Sequence, residues 1–166
     1  MVNAGDDSFS ELALDPDGTL SLLSNVPSGG ATPVSLALSG TTLYVLNAGS
    51  ATSAANISGF TVDPAGLVPI TGSTQTLSTG AVGGAEGAEQ IAFVQNGAVL
   101  VVVEKAKDNI DTFVVTSGVA AAGTFTTAGA GMAPYGFGVY RESLIVVTQP
   151  PRARARARTP SRPRAS

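Results

Sequence analysis

The 166-residue chain contains no cysteine, no histidine and no tryptophan. Without cysteine there is no disulfide and no thiolate-ligated zinc or iron–sulfur centre, and the redox state of the compartment leaves no trace. Without histidine the commonest general base and metal ligand is missing, so Ser-His-Asp and Cys-His mechanisms are excluded within this chain. Charge is scarce, at 13% of residues. No apolar run reaches the roughly 18 residues of a membrane-spanning helix. The Met1-Val2-Asn3 start lacks the basic and apolar regions of a signal peptide. A cytoplasmic location without membrane association is the default expectation. Gly80–Gly87 lacks the Lys-Ser/Thr of a phosphate loop, and Asp6, Asp7, Asp15 and Asp17 lack the spacing of a calcium loop. No cofactor and no metal are therefore expected. Asn56-Ile57-Ser58 is a glycosylation sequon that matters only in a secreted protein.

What charge there is divides unevenly. Residues 1–149 hold all 12 acidic residues and only Lys105, Lys107 and Arg141 as bases, a net charge of −9. The last 17 residues hold six arginines. An acidic body repels phosphates, so nucleic acid is not an expected partner. The tail, residues 150–166, is rich in Arg, Ala and Pro without an apolar period, and is expected to be disordered. Its Arg-Ala alternation is what a run of CGC-GCG codons encodes, which suggests a shifted reading frame rather than a basic arm.

What is abundant is the strand pattern. Apolar runs of four to eight residues, rich in Val, Leu, Ile and Phe, alternate with Gly, Asn, Asp and Ser clusters. Asp15-Pro-Asp-Gly18 and Asp63-Pro-Ala-Gly66 are turns in which Pro presets φ and Gly accepts a positive one. Asn96-Gly97 between two apolar runs reads as a hairpin. The runs also recur. Asn3-Ala-Gly5 returns as Asn47-Ala-Gly49, and Ser58-Gly-Phe-Thr-Val62 answers to Asp111-Thr-Phe-Val-Val115. Leu43-Tyr-Val-Leu46 matches Leu100-Val-Val-Val103 and Leu144-Ile-Val-Val147, at offsets of 57 and 44, with the Gly-rich segment around Gly80–Gly87 accounting for the longer interval. A period of about 45–50 residues carrying four strands is the signature of a propeller blade. The expected fold is all-β: an incomplete β-propeller of about three four-stranded blades over residues 1–149. The expected remnants are 2–30, 32–78, 88–133 and 134–149, followed by the tail.

Several strings together carry a family likeness: Asp15-Pro-Asp-Gly18, Pro33-Val-Ser-Leu-Ala37, Leu43-Tyr-Val-Leu-Asn-Ala-Gly49, Ile57-Ser-Gly-Phe60, Val102-Val-Glu-Lys105 and Ile110-Asp-Thr-Phe113. This set resembles the seven-bladed lactonase-like propellers, the group of bacterial 6-phosphogluconolactonase and the fungal carboxymuconate cyclases. The resemblance covers roughly residues 2–148 and about two-fifths of a full member. It implies a protein related to hydrolases or isomerases of small anionic lactones, with a lactone or sugar acid as ligand. It also implies that about three blades alone are inactive, since the channel walls of a ring are missing. A non-catalytic binding scaffold is the alternative. Uncovered sheet faces and strand edges imply self-association.

Three side chains are candidates for chemistry. Glu104 and Lys105 end an apolar strand and are expected at a channel rim. There Glu104 is placed to act as general acid or base, and Lys105 to hold an anionic substrate. Arg141, in the Tyr140-Arg-Glu-Ser143 turn, is placed to clamp a carboxylate or phosphate. The structural readings are a solvated strand end for Glu104 and Lys105, and an exposed turn charge for Arg141. Glu86 and Glu89 flank the Gly-rich segment and read as an acidic surface loop, and Asn47 reads as a turn cap.

Overall fold

The computed structural model describes residues 1–84 and 86–148; the Arg-rich tail lies outside the described residues. Fifteen strands account for the secondary structure apart from one 3-10 turn, and no α-helix occurs among the described residues. A first sheet joins β1 (Val2–Asn3), β2 (Ser8–Leu14) and β3 (Leu20–Pro27) in that order. The second runs β4 (Pro33–Ser39), β5 (Thr42–Asn47), β6 (Asn56–Asp63), β7 (Gly66–Pro69), with β8 (Gln75–Thr76) also on β6. The third repeats that plan with β9 (Ala88–Val94), β10 (Val99–Glu104), β11 (Asn109–Thr116) and β12 (Val119–Ala120), with β13 (Thr124–Thr127) also on β11. A hairpin of β14 (Phe137–Tyr140) and β15 (Leu144–Val147) ends the described chain. All pairings are antiparallel, and no sheet closes on itself. This is an incomplete propeller of about three blades: two whole ones between two partial ones.

Stacking explains why the second strand of each whole blade is apolar without alternation. Leu43–Leu46 and Leu100–Val103 are buried on both sides. Because successive side chains point to opposite faces, Leu43 and Val45 meet Phe9 and Phe60, while Tyr44 and Leu46 meet Leu100, Val102 and Ile91 of the next blade. Val101 and Val103 then meet Phe137 of the last hairpin. Each such side chain contributes about 1.5–3 kcal/mol by leaving water, so three apolar layers hold the blades in series.

The outermost strand is interrupted in the same way in both whole blades. On β6 the ladder breaks between Pro69 and Gln75, and Ser73 substitutes for it: its Oγ accepts from Gly59 N (2.9 Å) and donates to Ile70 O (2.7 Å). Gly59 permits this approach, since a Cβ there would lie 2.8 Å from both Ser73 Cβ and Tyr44 Cζ.

Asn96-Gly97 does lie in the turn of a hairpin, between β9 and β10: Val94 pairs with Val99, and Gln95–Gly97 makes a 3-10 turn with Asn96 at φ 54°. One sequence expectation is corrected: Leu144–Val147 does not sit in phase with Leu100–Val103. Ile145 and Val147 face the preceding blade, where Leu100 and Val102 do so in the blade before. The equivalence is therefore displaced by one residue, which in a strand exchanges faces.

Candidate functional site

In each whole blade the second strand ends, and the third begins, at the edge that also carries the loop from the preceding blade. The residues there are polar and occupy matching positions. Asn3 pairs with Ser8 in the first sheet, Asn47 with Asn56 in the second, and Glu104 with Asn109 in the third. Two residues along the third strand stand Ser10, Ser58 and Asp111. In the second sheet the slot is neutral and knitted to the incoming loop. Asn47 Nδ2 donates to Asn56 Oδ1 (2.9 Å) and to Ser28 O (3.3 Å), and Ser58 Oγ donates to Gly29 O (3.1 Å). Asn47 is thus a buried cross-link between a strand end and a loop, as a turn-capping role foresaw only in part.

The third sheet fills the same slot with acids. Glu104, Asp111 and Glu86 are all fully buried. Glu104 Oε1 accepts from Ser78 N (2.9 Å), and Oε2 accepts from Ser78 Oγ and from Asn109 Nδ2 (3.4 Å). Glu86 Oε1 accepts from Thr79 Oγ1. With the acids ionised, no donor group is directed at either oxygen of Asp111 or at Glu86 Oε2. Burial, then the charge of Glu104, a hydrogen bond with Glu104 and the charge of Glu86 push the Asp111 carboxyl up to about 9. At neutral pH Asp111 is therefore a neutral acid, and its proton supplies the donor that the pair with Glu104 otherwise lacks. No group of three or more acidic side chains with metal-binding geometry occurs among the described residues.

Glu104 is thus not the solvated strand end that its sequence suggested: the Ser78–Glu86 loop covers it. The signal for this was local. Asp111 lies in phase with Phe113, the buried side of its strand, where a carboxylate needs a partner. The partners, Glu104 and Glu86, come from seven and 25 residues away in sequence.

Lys105 points elsewhere. Its backbone N–H donates to Gly87 O (2.9 Å), and its Nζ lies 3.4 Å from Glu89 Oε1 and 4.7 Å from the Tyr135 ring centroid. Lys105, Glu89, Gly87, Ala106 and Ala133 line a cleft of about 430 Å3 between the third sheet and the last hairpin. Glu89 stands at the start of the innermost strand, β9, rather than in the Gly-rich loop, and lines this cleft beside Lys105.

Arg141 lies at the other end of the sheets. Its turn is held by Gln95 N donating to Glu142 O (2.8 Å) and Asn96 N to Glu142 Oε2 (3.1 Å). Its guanidinium sits 5.0 Å from the Tyr140 ring. The length of β10, about 3.3 Å per residue, separates it from Glu104 and Lys105. The three candidates do not form one constellation.

No family model and no curated protein matches the sequence. Solved structures do match. A candidate 6-phosphogluconolactonase from Bacteroides uniformis ATCC 8492 superposes with a TM-score of 0.63 at 20% identity, over 86% of this chain and 43% of that one. The periplasmic gluconolactonase PpgL of Pseudomonas aeruginosa gives a TM-score of 0.59 at 17% identity, over 78% and 39%. A protein of unknown function from Desulfotomaculum acetoxidans DSM 771 gives 0.55 at 18%, over 71% and 34%. The fold is that of the 6-phosphogluconolactonase-like propeller proteins. This chain spans about two-fifths of the length of the structures it resembles.

Proposed function

We propose that the chain is part of a lactonase-like propeller protein whose ligand is a small anionic lactone or sugar acid, held at the cleft of Lys105 and Glu89. The observation that carries this reading is the placement of Lys105. Its ammonium stands half-exposed between a carboxylate and an aromatic face, at the mouth where the innermost strands begin. An anionic ligand there gains a charge-assisted hydrogen bond from Lys105. Opening a lactone also needs an activated water and a stabilised oxyanion, and Glu89 beside Lys105 offers both a base and a cation within 3.4 Å. Glu104 acts here through position: it anchors the strand end that presents Lys105 and does not reach the ligand. Arg141 has no part in this site.

The second reading, a non-catalytic scaffold, draws on the same burial of Glu104, since the acid first expected to do chemistry is occupied by Ser78 and Asn109. Two measurements separate the readings. Calorimetric titration with gluconate is expected to show binding that falls about tenfold in Lys105→Gln; equal binding by both proteins overturns the site. A pH-stat assay with the anionic 6-phosphoglucono-δ-lactone, corrected for spontaneous opening, then distinguishes turnover from binding alone.

A further inference from the structure

The corner that leads into each innermost strand is built on one plan, and two of its three versions use a carboxylate. The residue just before β2, β6 and β11 is Asp7, Ala55 and Asp108 in turn. Its carbonyl accepts an N–H from the loop to the next blade: Ser28 (2.9 Å), Leu77 (3.2 Å) and Ala128 (2.6 Å). Each loop ends in a residue of positive φ, Thr32 (56°), Gly87 (63°) and Ala133 (47°), the first and last directly before Pro33 and Pro134. A Cβ resists this left-handed conformation, whereas glycine takes it freely. The carboxylates fall where the Cβ does. Asp7 Oδ1 accepts from Thr32 N (2.7 Å), and Asp108 accepts from Ala133 N (2.8 Å) and Gly131 N (2.7 Å) with its two oxygens. Opposite Gly87 stands Ala55, which has no side-chain acceptor.

Each corner sets the residue two places on: Val34, Glu89 and Tyr135. Glu89 and Tyr135 thus hold one position in consecutive blades, and they flank Lys105, with Nζ 3.4 Å from Glu89 Oε1 and 4.7 Å from the Tyr135 ring centroid. Ala133 is itself a wall of the Lys105 cleft, and Asp108 is not. A lysine head on a flexible four-carbon stem needs such a frame, because ordering it on binding costs affinity. Charge-assisted bonds to backbone N–H groups are strong, so the Asp108 carboxylate keeps one side of that frame in place.

We propose that Asp108 is a positioning residue for this cleft: it fixes the Ala133-Pro134-Tyr135 corner, so that the Tyr135 ring and the Glu89 carboxylate together aim Lys105 at an anionic ligand. The nature of the ligand rests on the function proposed above; the orientation of Lys105 does not. Asp7 makes the same kind of bond to a corner that presents Val34 in an earlier blade. It therefore serves as the control for loss of stability alone.

Magnetic resonance of the chain with lysine labelled at Cε tests this without a ligand, since Lys105 and Lys107 are its two lysines. The ring current of Tyr135 is expected to move the Lys105 methylene protons upfield, and Tyr135→Leu to abolish that shift and so identify the signal. Asp108→Gly, which keeps the turn at φ 58° accessible, is expected to abolish it as well, and Asp7→Gly to leave it intact. Gluconate affinity, measured by calorimetry, is expected to fall about two- to fivefold in Asp108→Gly, the worth of an exposed cation–π contact, and to be unchanged in Asp7→Gly. Should Asp108→Gly not fold, Asp108→Asn, which keeps one acceptor and tolerates the turn, is expected to reduce the shift. A wild-type Lys105 signal in the Asp108 variant overturns the positioning role, as does equal loss in Asp7→Gly or a signal that Tyr135→Leu does not move. A wild-type chain that binds no gluconate overturns the ligand reading alone, and the lysine signal still decides the role of Asp108.

Discussion

Replacing Asp111 by asparagine tests the buried acid pair most directly. In the folded protein Asp111 keeps its proton to about pH 9. In the unfolded chain it loses it near the ordinary aspartate value of about 3.9. A carboxyl whose folded value is raised contributes stability that is fully present below the unfolded value and is lost as pH rises through the folded one. Between about pH 4 and about pH 9 the folded state holds one more proton than the unfolded state. Stability therefore falls by up to about 1.4 kcal/mol per pH unit. From pH 6 to pH 8 that is at most about 3 kcal/mol, or a drop in Tm of several degrees for a domain of this size. An asparagine carries no such proton, yet its amide still donates toward Glu104, as Asn47 donates to Asn56 in the matching slot of the second sheet. Thermal unfolding by circular dichroism from pH 5 to pH 9 is expected to show the wild type losing Tm relative to Asp111→Asn as pH rises. The variant should be the more stable of the two at pH 8. Parallel curves would show that Asp111 does not hold a proton in the fold, and the argument from its burial would fail.

Other substitutions probe the packing that positions this slot. Tyr44 Oη donates to Gly118 O (2.9 Å) and accepts from Ala120 N (2.8 Å), tying the second sheet to the third. Tyr44→Phe leaves both backbone groups without that partner and should cost about 1–3 kcal/mol in urea denaturation. A Cβ at Gly30 would lie 2.7 Å from Asn47 Cγ and from Asn56 Nδ2. Gly30→Ala should destabilise by about 1–3 kcal/mol, whereas Gly5→Ala, with nothing within 4 Å, should be near neutral. Gln90 binds the last hairpin through both ends of its amide, to Phe137 N and Phe137 O at 2.9 Å each. Gln90→Ala is expected to speed hydrogen exchange across 137–147 selectively, leaving 42–47 unchanged.

The all-β class, most strands and the blade plan were legible in the sequence because they rest on local information: a period of two, turn chemistry at Asp15–Gly18 and Asp63–Gly66, and runs such as Leu43–Leu46 that only burial on both faces explains. The phase of Leu144–Val147 was not legible, since four consecutive apolar residues read the same from either face and only packing on Val101 and Val103 chooses one. The fate of Glu104 was hidden for another reason. A strand end looks solvated until the loop of the preceding blade is laid across it, and Ser78 and Glu86 arrive from 26 and 18 residues upstream. Sequence by itself determined the all-β class and where most of the longer strands and their turns fall. Tertiary structure alone decided which polar ends are buried, which acids meet, and that Arg141 stands apart from Lys105, because burial and proximity are properties of stacked sheets rather than of any one strand.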